Sequence, residues 1–277
     1  MGILDRAISV FTPSAAKAAP GLAREEVERR LGGDGNRSLA GADLTRAELS
    51  GIDLEGIDLS RARLRGANLS GANLRGANLF EALLCGTDLT GAVLENANLR
   101  DANCVRTGAL KPPVLENANL SGADLTGAEL TRANLRNATL TGTVLDEAGL
   151  GHADLTGAHA GGARFRGANL RHAKLEGATL SGATLDGADL ARALCRGANL
   201  AGASCIRANL AGAVLDEADL SAANLRDAQL DGVRVRGATF RGAVLAGADL
   251  DGATLDGAIL DGADFSAARN YRAATTA

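Results

Sequence analysis

From Leu39 to Phe265 almost every fifth residue is Leu, Phe, Cys or Val, and the residue two places earlier is usually Ala. Segments such as Ala67-Asn68-Leu69-Ser70-Gly71 and Ala188-Asp189-Leu190-Ala191-Arg192 recur with little change. A repeat this short means one small structural unit copied many times, each copy leaning on its neighbours. A period of five matches neither the 3.6 of a helix nor the period of two of a long strand. It matches short extended pieces joined by turns. The every-fifth residue, here the centre, and the Ala two before it point inward. The Asn or Asp between them points outward, and the two residues after the centre form a corner. Gly fills the second corner position in most repeats, as a tight turn with positive φ demands. Val, Ile and Trp do not occur there.

Composition narrows the reading further. Aromatic residues are 2% of the chain, with no Trp and one Tyr, so the core must be narrow and filled by Leu. No apolar run is long enough to span a membrane. Asp5 beside Arg6 speaks against a secretory leader. The four Cys show no metal-like or disulfide-like spacing, which predicts a reducing, cytoplasmic location. A net charge of −4 implies neither direct nucleic-acid binding nor a strongly acidic mimic.

The consensus Ala-(Asp/Asn)-Leu-X-X, met almost verbatim over residues 39–268, resembles that of the pentapeptide-repeat family. The resemblance implies an all-β fold, a right-handed quadrilateral parallel β-helix with four repeats per coil. About 45 repeats then give about 11 coils, and a rod roughly 50–55 Å long. Residues 37–268 are expected to form this solenoid. Residues 1–36 are expected to form a helical N-terminal cap, with an amphipathic helix over Leu22–Leu31 and a second short helix over Gly2–Phe11. Residues 269–277 are read as a tail.

If four repeats make a coil, residues 20 apart stack. One face then reads Glu116, Arg136, Thr156, Glu176, Arg196, Asp216, Arg236, Asp256, and another reads Asp146, Arg166, Asp186, Ile206, Arg226. Alternating signs predict ion-pair ladders between neighbouring coils. Glu55, Arg75 and Glu95 alternate likewise, and the step from Glu95 to Glu116 is 21, which predicts a one-residue register break near 105–113.

No catalytic constellation is present, so the chain is expected not to be an enzyme, and to need no cofactor and no metal. Cys104, Cys195 and Cys205 occupy centres and are expected as buried fillers; Cys85 follows a centre and is expected to be exposed. Arg132, His152, His172 and Arg192 fall in one column and form a candidate basic corner. Between Arg241 and Arg269 there are five acids and no base. Asp231, Asp249, Asp251, Asp256, Asp261 and Asp264 form a candidate acidic interaction surface. Phe265 and Tyr271 are candidate contacts of a homodimer formed through the C-terminal end.

A rigid rod without a catalytic cluster reads as a protein-binding scaffold. The face carrying Ser121, Thr141, Gly161, Ser181, Ala201 and Ser221 is flat enough to approach a partner closely. The resemblance also implies a narrower alternative. Quinolone-resistance and toxin-immunity members of the family bind DNA gyrase or topoisomerase IV by mimicking DNA, and protect against gyrase poisons.

Overall fold

The computed structural model describes residues 22–32, 38–104 and 111–270. Parallel bridges join Ser38 to Asp58, Asp43 to Arg63, Glu48 to Asn68 and Asp53 to Asn73, and steps of 20 residues recur, with one interruption, up to Asp249 and Arg269. Four outward residues per step define four walls, so the chain winds as a four-sided parallel β-helix. Each wall is shorter than an ordinary strand because a turn begins one residue after the centre.

One repeat, Leu69 to Asn73, shows why five residues suffice. The Leu69 N–H donates to the Asp88 carbonyl of the next coil, and the Gly71 N–H to that of Thr90. The Ala72 N–H closes the turn on the Leu69 carbonyl at 3.0 Å, and the Asn73 N–H donates back to Ile52 of the coil before. The fifth N–H, of Ser70, points outward at the corner and donates to the Asn68 side chain at 3.1 Å. Every backbone donor of the repeat is therefore satisfied without water, as a buried solenoid requires. The Asn or Asp before the centre is not only a solvated group: it caps the corner two residues on. The closing bond and a positive φ at the second corner residue give the pattern of a type II turn.

The lumen is filled by centres and small residues from Leu39 to Leu255, nearly all fully buried. Phe165 and Phe240 take centre positions and are the largest fully buried side chains. Thr87 and Thr143 replace inner Ala residues and stay dry, because each hydroxyl donates to a carbonyl of the preceding coil, Leu64 at 2.7 Å and Leu120 at 2.8 Å.

The register break differs from the arithmetic. Leu83 and Asn103 keep the step of 20, whereas Asp88 pairs with Val114, Val93 with Asn119 and Asn98 with Asp124, a step of 26. The chain thus inserts six residues, not one, and adds no wall: centre Cys104 is followed on the next wall by centre Leu115. Glu116 consequently lies beside Thr90, and Glu95 beside Ser121, so the two glutamates do not continue one ladder.

Helix α1 (Arg24–Leu31) sits at the first coil. Val27 is fully buried, and Leu22 and Leu31 pack on the core. The helix starts later than the pattern suggests because the Leu22 N–H donates to the Asp43 carbonyl at 2.9 Å. Arg24 also donates to the Ser50 carbonyl at 2.8 Å, tying the helix to the tube. Glu25 and Glu26 open the helix and Arg29 and Arg30 close it, the order its dipole favours. Exposure rises in the last coil, where Leu260 and Phe265 are only half-buried. The apolar segment Gly2–Phe11 and Tyr271 lie outside the described residues.

Candidate functional site

The sealed lumen leaves the walls and corners as the chemistry-bearing surface. Inside it, Cys195 and Cys205 stand on opposite walls, free and buried; burial is the main cause that pushes both thiols up to about 12, so neither is a nucleophile near neutrality. The other two cysteines depart from expectation. Cys85 is 2% exposed and forms a disulfide with Cys104, with Cα atoms 4.6 Å apart. Their separation of 19 residues is one coil less one, which stacking brings within bonding reach. The ground for a reducing compartment therefore does not hold.

The charge columns are real, but they do a different job. Arg75 pairs with Glu95 at 2.6 Å, as the ladder predicts. Arg196 instead pairs with Glu217 at 2.6 Å, and Asp216 with Arg234 at 2.6 Å. Asp146 takes the Arg164 guanidinium, not that of Arg166. What Asp146, Asp186 and Asp216 share is a backbone role. They accept the N–H groups of Arg166, Ile206 and Arg236, at 3.0, 3.1 and 3.0 Å. Those three corners lack the usual Asn or Asp two residues earlier, having Arg164, Ser204 and Arg234. An Asp from the coil before supplies the missing acceptor. This signal is present in the sequence as an outer residue other than Asn or Asp, twinned with an Asp twenty places before the orphaned corner. Arg196, Asp216, Glu217, Arg234 and Arg236 surround a charged surface hollow of about 440 Å³.

The candidate acids do not gather on one face. Asp231 and Asp251 stack at one corner, where the Gly232 N–H meets the Asp251 carbonyl. Asp256 and Asp261 lie at the next two corners round the coil. Asp249 and Asp264 are outer residues of adjacent walls. Bases bordering the stretch reach into it: Arg241 pairs with Asp261 at 3.5 Å and Arg269 with Asp249 at 3.6 Å.

Several of these carboxylates cap corners in the folded state. Asp249 is held below the usual carboxylate range by the Asn270 side chain, and Asp264 by the Ser266 N–H. Asp58 is held down in the same way by the Ser60 N–H. A depressed folded pKa gives stability that is present above the unfolded value of about 3.9 and is lost as pH falls through the folded value. The melting temperature is therefore expected to fall steeply only below about pH 4. A melting curve measured across pH 2 to 7 that declines already at pH 6 contradicts this.

Arg132, His152, His172 and Arg192 stand in one column in successive coils. His152 and His172 stack with ring centroids 4.8 Å apart and planes 6° from parallel. Arg132 and Arg192 continue the column on either side. Burial, then His152, Arg192 and Arg171, hold the His172 imidazole below its usual value, against the opposing pull of Asp189. The small-residue face also stacks, from Ser121 through Thr141, Gly161, Ser181 and Ala201 to Ser221. Among the described residues no group of three or more His, Cys, Asp or Glu side chains is placed to hold a metal. No helix among them is long and apolar enough to cross a membrane.

The family model for pentapeptide repeats matches residues 38–76, 77–107, 114–146, 148–187, 187–227, 203–242 and 228–266. The crystal structure of HetL, a pentapeptide repeat protein involved in heterocyst differentiation regulation from Nostoc sp. strain PCC 7120, is similar at 32% identity. That match has a TM-score of 0.56 and covers 89% of this chain and 96% of HetL. Full-length QnrB1, a plasmid-mediated fluoroquinolone resistance protein, aligns at 18% identity over 84% of this chain and 92% of its own, with a TM-score of 0.31. No curated protein matches the chain.

Proposed function

Because the chain belongs to the pentapeptide-repeat family, we propose that it is a non-catalytic protein-binding scaffold whose outer walls carry its function. One observation carries this reading. The lumen is packed with Leu and Ala at 0–1% exposure over most of its length, for example Leu69, Leu120 and Leu180, and leaves no interior space for a substrate. The likeness to HetL, a protein described as involved in regulation, supports a role exerted by contact rather than turnover.

Self-association through the last coil belongs to the same proposal. Leu260 and Phe265 are half-buried there and Ile259 is 40% exposed. Sedimentation showing monomer at every concentration removes that element.

The test is affinity capture on the immobilised full-length chain from lysate of the source cell. A stoichiometric protein partner is expected, and it should be lost on substitution of one outer surface. Asp→Asn at 249, 251, 256, 261 and 264 probes the acidic coil. Capture of nothing, together with turnover of a small molecule, overturns the scaffold reading. A supercoiling assay addresses the narrower target. Inhibition of gyrase or topoisomerase IV, or protection against a fluoroquinolone, at micromolar protein identifies the partner as a topoisomerase. No effect removes that target and leaves the scaffold in place.

A further inference from the structure

One corner of the tube differs from the other three. Among the described residues, neither of its corner positions carries an acid from Thr45 to Gly212. Its basic residues include Arg46, Arg65, Arg132, His152, His172 and Arg192. Every other corner mixes signs, as Asp146 with Arg166, Glu176 with Arg196, and Glu55 with Arg75 show. The sign at this corner reverses only at Asp231 and Asp251, near the far end.

Backbone geometry makes the middle of this corner costly to keep. Arg132, His152, His172 and Arg192 have φ of 64, 58, 56 and 59°, in four successive coils. Gly occupies this position elsewhere without strain, and a non-Gly residue there is held against its preference. Among the described residues no other corner holds four such residues in succession. The four residues stack in one column in successive coils, and the His152 and His172 rings lie 4.8 Å apart.

The carboxylates around the row are mostly engaged. Asp189, on the wall before the corner, pairs with Arg171 at 3.0 Å. Asp154, on the wall after it, pairs with Arg136 and Lys174, both at 3.5 Å. Glu129 stands on the wall before Arg132. The row itself presents only cations and imidazoles.

Resting on the protein-binding reading, we propose that this corner binds an acidic α-helix of a partner protein, laid parallel to the tube axis with one carboxylate stripe facing Arg132, the His152–His172 stack and Arg192. The match is one of charge and of spacing. A helix rises about 1.5 Å per residue, so carboxylates at i, i+3 or i+4 and i+7 recur every ~4.5–6 Å along a nearly straight line. Coils recur every ~4.8 Å. Phosphates of a duplex strand wind away from a straight edge, so few meet such a row. The imidazoles add proton dependence. Burial, and after it the neighbouring His152, Arg192 and Arg171, disfavour the charged form of His172 in the free protein, and facing carboxylates favour it, so binding strengthens as pH falls through the histidine range.

The experiment measures binding of the full chain to a labelled helical peptide with Glu at i, i+4, i+7 and i+11. A peptide of the same composition in scrambled order and a short duplex DNA serve as alternative ligands. Glycine is the usual residue at these positions, so the combined variant Arg132→Gly, His152→Gly, His172→Gly and Arg192→Gly is expected to fold. The variant Arg61→Gly with Arg207→Gly, at another corner with φ of 58 and 57°, is the control. The striped peptide is expected to bind about tenfold or more tightly at pH 6 than at pH 8. Binding should fall at least about tenfold in the corner variant and stay unchanged in the control. Equal binding of the scrambled peptide, tighter binding of the duplex, or full binding by the corner variant overturns the proposal. If lysate capture still yields a partner in the corner variant, only this assignment fails; if wild type captures nothing, the scaffold reading fails with it.

Discussion

Phe165→Ala is expected to lower the unfolding free energy by about 3–5 kcal/mol. Phe165 occupies a centre where most coils place Leu, and it is fully buried. Its ring is enclosed by the walls of its own coil and by the centres above and below. A parallel solenoid cannot relax inward to fill the gap, because hydrogen bonds to both neighbouring coils fix each wall. Phe165→Leu restores the usual occupant and should cost less than about 1.5 kcal/mol. Denaturant unfolding followed by circular dichroism separates the two. A Phe165→Ala loss below about 1 kcal/mol would mean that the lumen is not packed as described.

Gly202→Val should destabilise by about 1–3 kcal/mol although nothing stands in its way. Gly202 has a φ of +65°, and a Cβ built there meets no atom within 4 Å. The whole penalty is therefore conformational, from a β-branched side chain forced into the left-handed region. Gly202→Asn should cost much less, since Asn tolerates that region. The described corners bear this out. Eighteen non-glycine residues have positive φ, among them Arg, Asn, Asp, Glu, His and Ala, and none is β-branched. Equal melting temperatures for the Val and Asn variants would contradict the turn geometry.

The tube was legible in the sequence because the lumen imposes its demand on every repeat. Inward Leu and Ala recur at five, and no other element satisfies that period. The coil of twenty was legible from Arg75 and Glu95, which pair as expected. The six-residue insertion was not legible. Every wall has the same inward pattern, so the core cannot report which wall a repeat belongs to. The outer charges, worth only about 0–1 kcal/mol per exposed pair, do not enforce their order. Glu95 and Glu116, 21 residues apart, read as neighbours in one column, which the structure does not form. The Cys85–Cys104 disulfide was hidden for a related reason: a first corner residue read as outward lies, one coil on, beside a centre where the chain departs for the insertion. The basic corner was legible as a column, whereas its continuation to Arg46 and Arg65 depended on the correct step across the insertion.

Cysteine pairs report the winding most directly. Parallel neighbours in adjacent coils stand ~4.8 Å apart, within the Cα separation a disulfide accepts. Ser181→Cys with Ala201→Cys, twenty residues apart, should cross-link on mild oxidation, whereas Ser181→Cys with Arg196→Cys should not. Across the insertion, Glu95→Cys should bond to Ser121→Cys and not to Glu116→Cys. Cross-links in the second pair of each comparison and none in the first would contradict a four-walled coil of twenty residues interrupted once by six.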